Sequence, residues 1–177
     1  MTDTLFDLEP QPPIIKRALL SADGLYRFRL DRDWDPSRGR VCWIMLNPST
    51  ADAEQDDATI RRCLRFTRDW GYGALTVVNL FAYRATDPRE LSKVDRPIGG
   101  GNAQHLLAAV TEAPLAVAAW GASIPPLYST VVAGAGEALR TVHDAHVLGL
   151  TARGAPRHPL YMAASSRPVL WKTLGDT

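Results

Sequence analysis

Val41-Cys-Trp-Ile-Met-Leu-Asn-Pro-Ser-Thr-Ala-Asp52 is the stretch from which the rest of the chain is read. Six apolar residues run without alternation and stop at Asn47-Pro48. A run that is too short for a helix and is closed by a turn signal fits a strand buried on both faces. Such strands belong to parallel sheets covered by helices, whose ligands bind beyond the carboxyl ends of the strands. The polar residues after the run are therefore the first place to look for chemistry.

Working outward, three similar runs follow: Leu75-Thr-Val-Val78, Leu115-Ala-Val-Ala-Ala-Trp120 and His146-Val-Leu-Gly-Leu150. Helical candidates lie between them at about 58–70, 102–112 and 126–140. This order predicts an α/β fold, a three-layer α-β-α domain around a central four-stranded parallel sheet with right-handed crossovers. Upstream, Tyr26-Arg-Phe-Arg-Leu30 alternates apolar and charged residues and reads as a half-exposed strand or edge ribbon. Asp35 to Gly39 reads as a turn, and Pro168 keeps any terminal helix short or kinked. Residues 1–18 are expected to form an N-terminal tail and 19–177 a single domain. A chain of 177 residues, 46% hydrophobic and 22% charged, suffices for one core.

Composition narrows the function. Two cysteines, Cys42 and Cys63, build neither a disulfide framework nor an iron–sulfur site. Met1 to Pro13 lacks the basic start and apolar centre of a signal peptide, and no apolar run approaches the ~20 residues that span a bilayer. A cytoplasmic monomer with no membrane role is expected. His143 and His146 have no partners completing a metal site, and there is no phosphate-binding Gly-rich loop or nucleophile elbow, so no cofactor and no metal are expected. Gly99-Gly-Gly101 reads as a turn into a helix that the Asn102 side chain would cap.

Net charge is +1, too small to announce a nucleic-acid binder, but its distribution is uneven. Arg61, Arg65 and Arg68 fall at i, i+4 and i+7 on one helical face, with Arg62 beside them, and Arg153, Arg157, Arg167 and Lys172 gather near the end. A solvated face and phosphate contact explain these residues equally well.

Four strand ends carry the uncommon polar residues: Asn47-Pro-Ser-Thr-Ala-Asp52, Asn79-Leu-Phe-Ala-Tyr-Arg84, Gly121-Ala-Ser and Arg153-Gly-Ala-Pro-Arg-His158-Pro-Leu-Tyr161. Alone, Asn47-Pro48 fits a strand-ending turn, Asn79 a buried amide and His158-Pro159 an ordinary loop. Their order on four successive strand ends is what carries a functional reading.

That order resembles the uracil-DNA glycosylase superfamily. The matching pieces are Met-Leu-Asn47-Pro48, Val-Val-Asn79, Ala-Ala-Trp120-Gly121 and Pro156-Arg-His158-Pro159, over roughly Val41 to Tyr161. The signature also resembles an uncharacterised bacterial family of similar length carrying Met-Leu-Asn-Pro-Ser-Thr-Ala-Asp. The resemblance implies a DNA glycosylase or related N-glycosidase, a hydrolase of DNA repair or phage defence acting on a modified or damaged base. In it, Asn47 would position water, His158 would stabilise the departing base, and Asn79 would read the Watson–Crick edge. Pro48, Ser49, Thr50, Arg84, Gly121, Arg157 and Tyr161 would meet the substrate. Arg61, Arg62, Arg65, Arg68 and Arg153 would meet single- or double-stranded DNA.

The amide of Asn47 takes up no proton near neutral pH, so water activation would be slow or fall to Asp52, Asp56 or Asp57, the last two of which read first as caps and first-turn charges of the helix near Ala58. Replacing Asn47 with Asp is then expected to keep or raise activity. Ser49-Thr50 stands where uracil-specific enzymes carry a bulky aromatic, which implies room for a substituted base. Two alternatives stand beside this reading: a nucleic-acid- or nucleotide-binding module without efficient catalysis, and an enzyme on free nucleosides or nucleotides.

Overall fold

A computed structural model describes residues 13–49 and 54–174. Thr50 and Asp52, candidates for the site, lie outside the described residues. The strands are β1 (Ile15–Leu20), β2 (Arg27–Asp33), β3 (Arg40–Met45), β4 (Ala74–Asn79), β5 (Leu115–Ala118), β6 (His146–Val147) and β7 (Val169–Leu170). The α-helices are α1 (Ala58–Asp69), α2 (Asn102–Glu112) and α3 (Ser129–Val142).

All seven strands form one mixed sheet in the order β1-β2-β4-β3-β5-β6-β7. β3 pairs parallel with β4 and with β5, and β5 with β6, while β1/β2, β2/β4 and β6/β7 are antiparallel. This corrects the expected four-stranded parallel sheet of a three-layer, glycosylase-like sandwich. The extra strands have physical reasons for being illegible. β7 is two residues long and directly follows Pro168, too little for any periodicity. β2 is no exposed ribbon: it lies between β1 and β4, and Leu30 to Asp33 are all buried.

Burying Leu-Asp-Arg-Asp requires partners for its charges, because an uncompensated buried ion is costly. Arg32, 0% exposed, binds Asp56 at 2.7 Å. Asp31 accepts from Thr76 Oγ at 2.6 Å and pairs with Arg29 at 3.0 Å and Arg40 at 3.1 Å. Asp33 pairs with Arg40 and Arg17. Read as a pattern of polarity, the segment signals exposure; paired in this way, it becomes interior.

Alternate residues of the central strands feed two cores. Cys42, Ile44, Val78, Ala118 and Val147 pack with Val110 of α2 and Leu139 of α3. Val41, Trp43, Leu75, Val77 and Val117 pack with Ile60, Cys63 and Phe66 of α1. Trp43 and Trp70 lie 5.3 Å apart between ring centres, and Trp43 Nε1 donates to Thr67 Oγ1 at 3.0 Å.

The topology also locates a cleft. From β3 the chain passes through α1 to β4 on one side, then through α2 to β5 on the other. Connections that leave a central strand in opposite directions open a crevice at its carboxyl end. Among the described residues, no helix is long and apolar enough to cross a membrane.

Candidate functional site

A cleft of about 510 Å³ opens at that rim, a volume suited to a small organic ligand. Asn47 after β3, Asn79 at the end of β4, Gly121 after β5 and His158 after β6 all line it. In each of the three hydrogen-bonding side chains, one polar atom is held by the protein and another is left to the cleft.

Asn47 Nδ2 donates to the Ala85 carbonyl at 2.7 Å and to the Pro48 carbonyl at 3.2 Å. Two acceptors fix the amide orientation, since only the nitrogen donates. Among the described residues nothing donates to Oδ1. Asn79 is 1% exposed, and its Oδ1 accepts from Arg27 Nη2 at 3.4 Å. A guanidinium only donates, so the oxygen must face Arg27, and Nδ2, with no acceptor among the described residues, is the donor left over. The main chain of Asn79 is held as well, because Asn102 Nδ2 donates to the carbonyls of Asn79 at 2.9 Å and Leu80 at 3.2 Å.

His158 opens the 3-10 turn Pro159–Tyr161, and its Nδ1 accepts the Leu160 N–H at 3.4 Å. The neutral ring therefore carries its proton on Nε2. Burial lowers the His158 pKa from its ordinary value, the charge of Asp57 opposing that shift. Gly121 allows the close approach of this turn. Its φ is +78°, and a Cβ there would come within 3.2 Å of the His158 Cβ.

Asp57 is a helix cap that also faces the cleft. One oxygen caps α1 by accepting the Ile60 N–H at 2.8 Å, the other accepts the Ser49 hydroxyl, and the residue lines the cleft.

Of the remaining candidates, Ser49, Arg157 and Tyr161 line the cleft, with Tyr161 82% exposed at its rim. Pro48 is buried, its carbonyl accepting the Ala85 N–H at 2.9 Å. Arg84 is absent from the lining and donates to the Gly24 carbonyl at 3.1 Å, bracing the β1–β2 turn. Arg61, Arg65 and Arg68 are exposed on α1 outside the cleft, Arg65 paired with Asp69 at 3.8 Å and Arg68 lying 5.0 Å over Trp34. Arg62 turns inward onto the His158 turn. Arg153 is exposed and does not line the cleft.

Two residues escape sequence reasoning. Arg27, 3% exposed, lines the cleft, whereas the alternation around it points to solvent. Asn102 does not cap α2: Gly101, with φ +79°, occupies the cap position, and the Asn102 side chain reaches back to β4. The glycine triplet was the available clue, since a left-handed glycine opens the helix without a side-chain cap.

The commitment of Asn47 Nδ2 puts a stability cost on Asp at this position, whatever its effect on activity. A carboxylate oxygen would replace the donor and face two carbonyl oxygens. Asn47→Asp is expected to destabilise the protein by about 1–3 kcal/mol at neutral pH, measured by urea unfolding, and by less in acid, where a protonated carboxyl donates again.

A family model described as "Protein of unknown function (DUF1643)" matches residues 27–160, from Arg27 in the cleft to the turn after His158. No curated protein and no solved structure matches the chain.

Proposed function

The chain belongs to the DUF1643 family, and from its own site we propose that it is an N-glycosidase, a hydrolase that takes a modified or damaged base of DNA into the cleft and cuts it from its sugar. The observation that carries this reading is the set of three side chains on three strand ends, each tied at one atom and open at another. Asn79 Nδ2 and His158 Nε2 remain as donors and Asn47 Oδ1 as an acceptor. Fixed donors and acceptors of this kind read a heterocycle's edge without reorganising. The order of the strand-end motifs, which resembles that of uracil-DNA glycosylases, supports the same reading.

The chemistry is as follows. Asn79 Nδ2 donates to a carbonyl of the base. As the bond from C1′ to the base nitrogen breaks, its electron pair stays with the base, and His158 Nε2–H stabilises the oxygen on which charge collects. Water held at Asn47 Oδ1 adds to C1′. Its proton passes to Asp57 and finally to the departed base, leaving a free base and a 1′-hydroxyl. Arg157 at the rim meets phosphate.

The binding-module alternative is favoured by one observation, that Asp57 already accepts two hydrogen bonds. One experiment separates the readings. Duplexes containing uracil, a thymine mismatch, a deaminated purine or a hypermodified pyrimidine are incubated with the protein and tested for free base and alkali-labile abasic sites. Release is expected, with modified pyrimidines ahead of uracil because Ser49 leaves room. Binding without release from any duplex would favour the module, and release from mononucleotides alone the free-nucleotide enzyme. Asn79→Ala is expected to weaken binding of the substrate base by about 10- to 100-fold, the cost of one unsatisfied polar group, measured by fluorescence anisotropy.

A further inference from the structure

Arg62 lies in the first turns of α1, yet its side chain does not serve the exposed face. Nε donates to the Pro159 carbonyl at 3.4 Å and Nη2 to the Met162 carbonyl. The guanidinium carbon sits 4.6 Å from the centre of the Phe66 ring. Phe66 is 1% exposed and packs on Trp70 at 5.4 Å, so the guanidinium rests on a rigid aromatic floor. The two carbonyls belong to the first residue of the Pro159–Tyr161 turn and to the residue just beyond it. Pro159 O also closes this turn by accepting the Met162 N–H at 3.2 Å. Inside it, the Leu160 N–H donates to His158 Nδ1.

We infer that Arg62 is a positioning residue of the cleft: by holding the Pro159 and Met162 carbonyls against α1, it fixes the turn whose Leu160 N–H aims the His158 ring. The same helix carries Asp57 at its N-terminus, so α1 sets the separation between carboxylate and imidazole. A lysine cannot substitute, because a single ammonium lacks the planar fork that reaches both carbonyls. The ionisable groups near His158 are Asp57 on α1, Arg157 and Tyr161 along its own segment, and Arg62 behind the turn, and of these the charge of Asp57 acts on its titration. The inference deepens the N-glycosidase reading and rests on it only for the effect on rate.

The test uses the full chain with Arg62→Lys and Arg62→Met, each checked for folding by circular dichroism. Arg62→Met keeps an apolar contact with Phe66 and removes both hydrogen bonds. In both variants hydrogen exchange at the Leu160 amide is expected to quicken about tenfold or more. The His158 titration, followed by NMR, is expected to rise towards about 6.5, and its ring nitrogens to change from a single Nε2–H tautomer to a mixture. Base release is expected to fall about 10- to 100-fold at retained DNA affinity, the scale on which small misplacements act. Folded variants whose Leu160 exchange and His158 titration match wild type would overturn the inference. If the variants fail to fold, the wild type decides: a protected Leu160 amide and a single tautomer support the inference, and an unprotected amide with mixed tautomers overturns it. Shifts at Leu160 and His158 in a protein that releases no base would count against the N-glycosidase reading while supporting this role for Arg62.

Discussion

His158→Ala is expected to slow base release about 100- to 1,000-fold in single-turnover assays while leaving DNA affinity largely unchanged. Nε2–H acts on charge that appears only as the glycosidic bond breaks, so its loss is felt in the transition state and hardly in the bound ground state. The substitution keeps Cβ, the atom that a side chain at position 121 would meet first, and the turn retains Arg62 as its clamp. A loss in affinity as large as the loss in rate would instead make His158 a binding group.

Asp56→Ala is expected to destabilise the protein by about 3–5 kcal/mol, measured by urea unfolding, because it takes the carboxylate partner from a guanidinium with no solvent exposure. Arg32 Nε and Nη2 approach Asp56 Oδ1 at 2.8 and 2.7 Å, a forked contact. Lys16 adds a second cation at 3.6 Å and donates to the Glu54 carbonyl at 2.9 Å. Through these contacts the antiparallel β1–β2 flank holds the approach to α1, next to Asp57. Arg32→Met combined with Asp56→Leu is expected to recover much of the loss, since removing both charges leaves no buried ion behind. A single-mutant effect below about 1 kcal/mol would place the pair in the class of surface salt bridges.

The strand ends that build the cleft were legible because each closes an apolar run with a residue of distinct chemistry. Asn47, Asn79, Gly121 and His158 each follow or end such a run, and parallel pairing of β3, β4, β5 and β6 brings those ends to one rim. The flanks of the sheet were not legible. In β2 the charges that ordinarily mark solvent are matched across strands by Arg40 and Thr76 and from the approach to α1 by Asp56, and no local pattern reports pairing between residues 24 or 45 positions apart. The hydrogen bonds of Arg62 were hidden for a related reason. Helical periodicity sets it beside Arg61, Arg65 and Arg68, but its partners are carbonyls 97 and 100 residues away. Arg27 and Asn102 likewise act on Asn79 through contacts that depend on topology, 52 and 23 residues along the chain.

The central claim is that Asn47, Asn79 and His158 form one set around the bound base and its sugar carbon, and side-chain NMR during titration with substrate DNA tests it most directly. The account predicts that the Asn79 Nδ2 and His158 Nε2 signals shift together, with saturation at the same DNA concentration. The Asn47 Nδ2 signals, already bonded to Ala85 and Pro48, should move less. Shifts confined to Arg61, Arg65 and Arg68 on the outer face of α1, with the three cleft side chains unmoved, would contradict it.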